Sequence, residues 1–323
     1  MDKASSALKR LLIVTLAVVW APLPVLATGT VESESTSGLQ PLVIGMMPAV
    51  DSIPLIVAES EGYFADEGLT VTLELFRDQL YREASLQSDR IDATISDLVN
   101  AIRSWGNGAD YRALVSTQGL FAFLSAPDAA VASLDTWPEP GEVIETGVIE
   151  DSVIFYTAER MLEAANTDPT RVRIIPTLQI PVRLELLLAG ELEAAVLPEP
   201  VARLAEGGGA NPIIDSSVLE ETAGILIATG TAIESKRAEL SALLRAYDRA
   251  VEAVNADPDA YRQIIVEAAG FPPPVAGSMR IPTFRTAAVP TEELVSDVAG
   301  WMLDRGLISQ LPEYEAIVLD LTN

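Results

Sequence analysis

Acidic and hydroxyl side chains recur where predicted strands give way to predicted helices, which is where open α/β sheets hold polar ligands. The Pro198-Glu199-Pro200 segment is the sharpest case, because its two prolines fix the backbone and leave Glu199 little role inside a helix. We therefore predict that the Glu199 carboxylate faces a cleft. The other predicted ligand-binding residues are Asp51, Ser52, Ser96, Asp97, Asn100, Thr117, Gln118, Asp151, Ser152 and Tyr156.

The residues at predicted helix starts, and Tyr156, also have a purely structural interpretation. Side chains such as Asp51, Asp97 and Ser152 precede predicted helices, where they would equally act as N-caps. The Tyr156 ring either stacks on a ligand or packs in the core. For Arg183, we favour a solvated helix face over an anion clamp.

Alternating apolar strands and helical patterns predict the elements that position these side chains. Strands are expected at 42–46, 69–76, 91–96, 112–116, 121–125, 145–149, 172–176, 194–197, 212–215 and 223–228. The fold class is α/β, with two lobes, each a mostly parallel sheet flanked by helices, joined by a two-strand hinge. We assign residues 41–125 and 226–323 to lobe I and residues 126–225 to lobe II.

An internal similarity supports the two-lobed arrangement. Residues 89–97 and 190–198 share the order of polar turn, apolar residue, acid, alanine and apolar strand, at a constant offset of 101 residues. Chance resemblance of two strand-helix units is the alternative. If the similarity is real, each lobe directs a comparable strand end at the space between them.

The composition excludes several classes of chemistry. The 323 residues include no cysteine and no histidine, so disulfides, thiolate nucleophiles, Cys/His zinc sites and imidazole bases are impossible. No cofactor or metal is expected. The net charge of −26 disfavours nucleic acid as a partner.

The first residues resemble an export signal. Residues 1–27 combine a basic start, an apolar run and the small-residue site Val25-Leu26-Ala27, and residues 28–40 are predicted to form a flexible leader. Pro22 and Pro24 interrupt the apolar run before it could span a bilayer. We expect a soluble periplasmic protein that is not a lipoprotein, is not inserted in the membrane and is monomeric.

The order of several short motifs resembles the substrate-binding proteins of ABC importers, in the branch of nitrate, sulfonate, taurine and thiamine-pyrimidine binders. These motifs are Ile44-Gly45-Met46-Met47-Pro48, Glu61-Gly62-Tyr63-Phe64 with Glu67-Gly68-Leu69-Thr70-Val71, Ile91-Asp92-Ala93, and Leu192-Glu193-Ala194-Ala195-Val196. Where the family commonly has Gly before its Ile-Asp pair, this chain has Ser88-Asp89-Arg90.

The resemblance implies a two-lobed binder that closes over one small molecule and delivers it to a permease, whose ATPase is an indirect partner. It implies no catalysis. A ligand-sensing module for a receptor is one alternative, and an enzyme of thiamine-pyrimidine synthesis is a second.

The predicted cleft carries five acids, and burying a carboxylate beside an anion is costly. These acids are Asp51, Asp97, Glu150, Asp151 and Glu199. They favour a neutral or cationic nitrogenous ligand such as a pyrimidine or thiamine precursor. A nitrate-, sulfonate- or taurine-type anion is the alternative.

Overall fold

The computed structural model describes residues 38–322, apart from the side chain of Pro274. The predicted signal sequence and leader residues 28–37 lie outside the described residues. The last leader residues belong to the folded body, contrary to prediction: Leu39 packs against the core, and the Gln40 N–H donates to the Glu239 carboxylate over 2.8 Å.

Two five-stranded sheets form the framework. The first has the strand order β2-β1-β3-β10-β4, and the second has the order β7-β6-β8-β5-β9. The strands are β1 Leu42–Met46, β2 Val71–Leu75, β3 Ala93–Asp97, β4 Tyr111–Thr117, β5 Phe121–Ser125, β6 Ile144–Val148, β7 Val172–Pro176, β8 Ala194–Pro198, β9 Asn211–Asp215 and β10 Gly224–Thr229.

Twelve helices are assigned among the described residues, besides short 3-10 turns. They are α1 Ile53–Ser60, α2 Tyr63–Asp66, α3 Gln79–Gln87, α4 Leu98–Gly106, α5 Val153–Ala164, α6 Ile180–Leu188, α7 Val201–Gly207, α8 Gly230–Ser235, α9 Arg237–Ala256, α10 Pro258–Ala269, α11 Glu292–Asp304 and α12 Tyr314–Ile317. Within residues 38–322, no helix is both long enough and apolar enough to cross a membrane.

Both sheets are mixed, and in each one four of the five strands run in the same direction, in agreement with the predicted mostly parallel sheets. Strand β10 runs antiparallel to β3 and β4, and β5 runs antiparallel to β8 and β9. The strands β3 and β10 are buried on both faces, and β10 appears in the sequence as a nearly continuous apolar run, whereas β3 carries the polar residues Thr94 and Ser96. The predicted α/β, two-lobed architecture is confirmed.

The lobe boundaries differ from those predicted. Strand β5 belongs to the second sheet and not to lobe I, and all of β10 belongs to the first sheet. The chain therefore crosses between the lobes at residues 118–120 and again at 216–223. The physical reason for the error is that an apolar strand carries no local signal of which sheet it will join.

The lobes are pseudo-equivalent. Strands β1 and β6 each pair in parallel with the third strand of their own sheet, through Ile44 with Ala93 and through Thr146 with Ala194. Since Ala93 and Ala194 are also equivalent in the sequence similarity, the 101-residue repeat reflects a common structural unit. A hydrophobic cluster that includes Val99 and Phe155 continues from one lobe into the other.

Candidate functional site

The carboxyl ends of β3 and β8 meet at the two crossovers. The Leu98 N–H, just after β3, donates to the Ala223 carbonyl over 2.9 Å, and the Glu199 N–H, just after β8, donates to the Leu120 carbonyl over 2.9 Å. Both strand ends thus face the space between the lobes. The crossovers leave from the β4/β10 and β5/β9 sides of the sheets, so the edge strands β2 and β7 lie at the opposite side, which we call the cleft mouth.

Asp51 is a half-buried acid of this site. It lies in the 3-10 turn after β1, and its Oδ1 atom is buried without a hydrogen-bond partner. Burial raises the pKa of Asp51 to about 6, although the positive charge of Arg82 opposes the rise. The neighbouring Ser52 is fully buried and its hydroxyl donates to the Met47 carbonyl over 3.0 Å, so it shapes the turn.

Arg82 is a cleft residue that sequence reasoning missed. It extends from α3 to the end of β3, where Nη1 donates to the Ile95 carbonyl over 3.0 Å and Nη2 lies 3.4 Å from Ser96 Oγ. Its Nε is buried and has no partner. The Arg82 guanidinium therefore covers the Ser96 hydroxyl, and Ser96 is buried. The only sequence signal for Arg82 is its place 101 residues before Arg183.

Asp97 and Asn100 are bonded to each other. The Asp97 carboxylate caps α4 by accepting the Asn100 backbone N–H over 2.8 Å and its Nδ2 over 2.5 Å. Burial nevertheless raises the pKa of Asp97 above its ordinary value, and the two bonds from Asn100 oppose that rise. The capping role that the sequence allowed for Asp97 is therefore the one observed.

Glu199 is the buried acid of the second lobe. Its side chain is 5% exposed, and its bond to Pro200 is cis. One oxygen lies 3.7 Å from Arg203 and 3.9 Å from Arg280, while Oε2 is buried and unpaired. Burial raises the pKa of Glu199 to about 7, against the lowering effect of the two guanidiniums.

The crossovers contribute two further predicted residues. Thr117 is 2% exposed and its hydroxyl is unpaired, while its carbonyl accepts the Thr222 hydroxyl over 3.2 Å. Gln118 is half-buried on the 118–120 crossover.

Three predicted residues are engaged in structural contacts. Ser152 caps α5 by accepting the Phe155 N–H, and Asp151 lies 3.3 Å from the Arg103 guanidinium of the first lobe. The Tyr156 hydroxyl donates to Asp297 of α11 over 2.7 Å, and its ring packs edge-on against Trp301 at 5.5 Å. Tyr156 therefore makes a contact between the lobes, and its contact with ligand stays a prediction.

The solvated helix face predicted for Arg183 is wrong. This residue is 1% exposed, and its guanidinium donates to the carbonyls of Val196 and Thr177, each over 2.7 Å. Burial lowers the pKa of Arg183 to about 10. The error arose because helical periodicity on α6 could not reveal that this face is covered by β8.

Unpaired buried atoms are concentrated at the strand ends and crossovers. In residues 38–322 six buried side-chain polar atoms lack a hydrogen-bond partner: Asp51 Oδ1, Arg82 Nε, Thr117 Oγ1, Thr157 Oγ1, Glu199 Oε2 and Arg203 Nε. All but Thr157 belong to residues at this site. Each lobe thus supplies an acid and an arginine with one free atom each. Such an arrangement can donate to, and accept from, a small polar molecule.

The sequence motifs gave no signal for Arg203 or Arg280. Arg203 lies on α7 whereas Glu199 precedes that helix, and the turn at the cis Glu199-Pro200 bond places the two side chains 3.7 Å apart. Arg280 lies in an irregular segment far along the chain, and no local pattern connects it to Glu199.

Solved structures with this fold include transport proteins and an enzyme. The aliphatic sulphonate binding protein SsuA from Escherichia coli superposes with a TM-score of 0.70 at 16% identity, over 87% of this chain and 92% of that one. The ligand binding component of an ABC-type import system from Staphylococcus aureus gives 0.70 at 15% identity, over 88% and 98%. The desulfurization enzyme DSZB gives 0.64 at 14% identity, over 88% and 98%.

These identities are low, so the likenesses establish the fold. No curated protein sequence matches the chain. The model of the NMT1-like family, in contrast, matches residues 35–270, which is most of the chain and includes the motifs that carried the resemblance. This protein therefore belongs to the NMT1-like family.

Proposed function

We propose that this protein captures a small solute between its two lobes outside the cytoplasm and delivers it to the permease of an ABC importer. The observation that carries the proposal is the set of five unpaired buried polar atoms at the strand ends and crossovers. Buried polar atoms in folded proteins almost always have a partner in the protein, in ordered water or in a ligand, so these five atoms are available to bind a solute. The ABC-type import component and the periplasmic sulphonate binding protein that share the fold support the same function.

We further propose that the solute is a sulfonate-class organic anion. Three of the unpaired groups are donors, namely the Nε–H groups of Arg82 and Arg203 and the hydroxyl of Thr117. Guanidinium N–H groups are well suited to oxyanions. Two similar structures are described as sulfonate-binding proteins, which favours this ligand class over the pyrimidine that the sequence suggested.

The acids that led to the pyrimidine expectation are less available than the sequence implied. Asp97 caps a helix, Asp151 pairs with Arg103, and Glu150 is exposed. The remaining acids, Asp51 and Glu199, have pKa values raised by burial to about 6 and about 7. When such a carboxyl holds its proton it donates a hydrogen bond to an anion and does not repel it, so we expect anion binding to strengthen as pH falls through about 7 to 6.

Calorimetric titration of the purified protein with methanesulfonate, taurine, nitrate and an aminopyrimidine tests both parts of the proposal. We expect saturable binding of a sulfonate that Thr117→Val weakens at least about tenfold, since a buried bond to an anion is lost. The surface variant Asp66→Asn is the matched control. Saturable binding of the aminopyrimidine with no response to sulfonates would overturn the ligand assignment.

We also propose that the protein binds its solute without transforming it. The desulfurization enzyme that shares the fold provides the rival, and one of its structures is described as a complex with biphenyl-2-sulfinic acid. Incubating this protein with that sulfinate and assaying for released sulfite tests the point. We expect no release above a buffer blank, and catalytic turnover would overturn the proposal.

A further inference from the structure

We propose that Arg280 is an interlobe latch, a positioning residue that ties closure of the lobes to the carboxylates around Glu199. Arg280 belongs to the irregular segment between α10 and α11. It contacts three acids of the second lobe while its own backbone is attached to the first. This inference rests on the proposed function in one respect: closure of the two lobes would capture the solute.

The backbone around Arg280 is fastened to the first lobe. The preceding Met279 is 1% exposed within the first-lobe core, and its carbonyl accepts Arg262 Nη1 of α10 over 2.5 Å. A few residues later, Phe284 exchanges two hydrogen bonds with the Asn255 side chain of α9, at 2.7 and 2.9 Å. These anchors on both sides mean that Arg280 moves with the first lobe.

The guanidinium of Arg280 reaches across to the second lobe. It pairs with Asp215 at the end of β9, lies 3.5 Å from Glu206 of α7 and lies 3.9 Å from Glu199. Arg203 is the only other cation paired with Glu199 among the described residues, and it also pairs with Glu206. The charged groups that face Glu199 are therefore Arg203, Arg280, Glu206 and Asp215.

This arrangement stabilises one relative position of the lobes. The second lobe supplies the other members of this cluster, namely Arg203, Glu206, Asp215 and Glu199. Arg280 is the cation that the first lobe contributes, and its charge no longer neutralises these acids if the lobes separate. Three acids would then share one guanidinium. Arg280 therefore joins the lobes beside the 216–223 crossover, and its contacts favour the relative position of the lobes seen here even without solute.

The latch can be tested by measuring the distance between the lobes. The chain has no cysteine, so spin labels can be attached specifically after introducing Gln79→Cys and Gln179→Cys. Both positions are exposed, and they flank the cleft mouth beside the edge strands β2 and β7. Double electron–electron resonance on the solute-free protein then reports the distribution of interlobe distances.

We expect Arg280→Gln to increase the population at longer distances by about three- to tenfold, because charge-assisted bonds that are partly exposed are lost. Asp215→Asn removes the charged partner of Arg280 on the second lobe and should shift the distance distribution in the same direction. It provides an independent test if Arg280→Gln fails to fold. Arg245→Gln is the control, since Arg245 pairs with Glu67 inside the first lobe. An unchanged distribution in both test variants would overturn the latch.

The outcome is separable from that of the proposed function. The distance measurement is made without solute, so its result does not depend on whether any sulfonate binds. If every sulfonate failed to bind, the distances would still support or overturn the latch. Conversely, sulfonate binding by a protein whose lobes are unaffected by Arg280→Gln and Asp215→Asn would support the function and refute the latch.

Discussion

Arg82 and Arg183 make the same contact in the two lobes. Nη1 of Arg82 donates to the Ile95 carbonyl over 3.0 Å, and Nη1 of Arg183 donates to the Val196 carbonyl over 2.7 Å. Each arginine comes from the helix after an edge strand and ties that helix to the third strand of its own sheet. Both arginines are buried, but Arg82 also pairs with the Glu83 carboxylate over 2.5 Å, whereas the hydrogen bonds of the Arg183 guanidinium within residues 38–322 all go to carbonyls.

Replacing Arg183 should destabilise the fold. In Arg183→Met the carbonyls of Val196 and Thr177 lose their donors inside the protein. Each unsatisfied buried carbonyl costs about 1–3 kcal/mol, partly offset because a buried charge is removed, so we expect a loss of about 2 kcal/mol in the free energy of unfolding. Urea denaturation monitored by circular dichroism measures it.

The control for this variant is Arg173→Met, since Arg173 is 58% exposed and pairs with Glu145 at the surface. It should change stability by less than about 1 kcal/mol. Equal stability of the Arg183 variant and the parent would show that the two carbonyls find other donors.

Gly147 should not tolerate a side chain. A Cβ there would lie 2.5 Å from Leu192 Cδ1 and 3.2 Å from Arg183 Cγ, in the packed space between β6 and the α6 side of the sheet. We expect Gly147→Ala to lower the free energy of unfolding by about 1–3 kcal/mol through overpacking. Thermal unfolding compared with the parent measures the effect.

Gly300 offers the opposite case. It lies within α11, and a Cβ there would meet no atom within 4 Å. Gly300→Ala should therefore stabilise the protein by about 0.5–1 kcal/mol, because alanine loses less backbone entropy in a helix. If both alanine variants were destabilised alike, steric overlap would not be the cause at Gly147.

Asp51 should make stability depend on pH. Burial raises its pKa to about 6, so between about pH 4 and 6 the folded protein holds a proton that the unfolded chain releases. Stability from this group is therefore lost as pH rises through that range, and the cost is complete above pH 6. Asp51→Asn should be more stable than the parent at pH 8, by on the order of 2–3 kcal/mol, and nearly equal to it at pH 4.

Urea titrations of parent and variant at pH 4, 6 and 8 provide the comparison. The surface variant Asp66→Asn, which affects a pair with Arg249, is the control for removing a carboxylate. A stability difference between the Asp51 variant and the parent that does not grow from pH 4 to pH 8 would contradict the burial of an ionisable group at this position.

Tyr156 should contribute to stability and not to solute binding. Tyr156→Phe removes the hydroxyl that donates to Asp297, while Arg160 still pairs with that carboxylate over 2.7 Å. We expect a loss of about 1 kcal/mol in the free energy of unfolding with unchanged affinity for a bound sulfonate. Calorimetric titration and urea denaturation of the same preparation separate the two effects. Weaker binding without loss of stability would contradict this prediction and indicate that Tyr156 contacts the solute.

Some parts of the fold could be predicted because their signals are local. The apolar runs at 42–46, 172–176 and 194–197 differ from β1, β7 and β8 by at most one residue, since an apolar run between turn residues is a strand signal that needs no distant partner. The assignment of β5 to its lobe failed because sheet membership depends on hydrogen bonds to β8 and β9, which are more than 60 residues away along the chain.

The sequence by itself determined the α/β class, the repeated unit at a 101-residue offset, the impossibility of thiol and imidazole chemistry, and the positions of Asp51, Thr117 and Glu199 near strand ends and crossovers. These properties follow from residue type and short-range pattern. Only the tertiary structure decided which acids are free, because capping by Asp97 and pairing of Asp151 with Arg103 depend on atoms brought together by folding. The same holds for Arg280, whose anchors and acidic partners come from different lobes and meet only when the chain is folded.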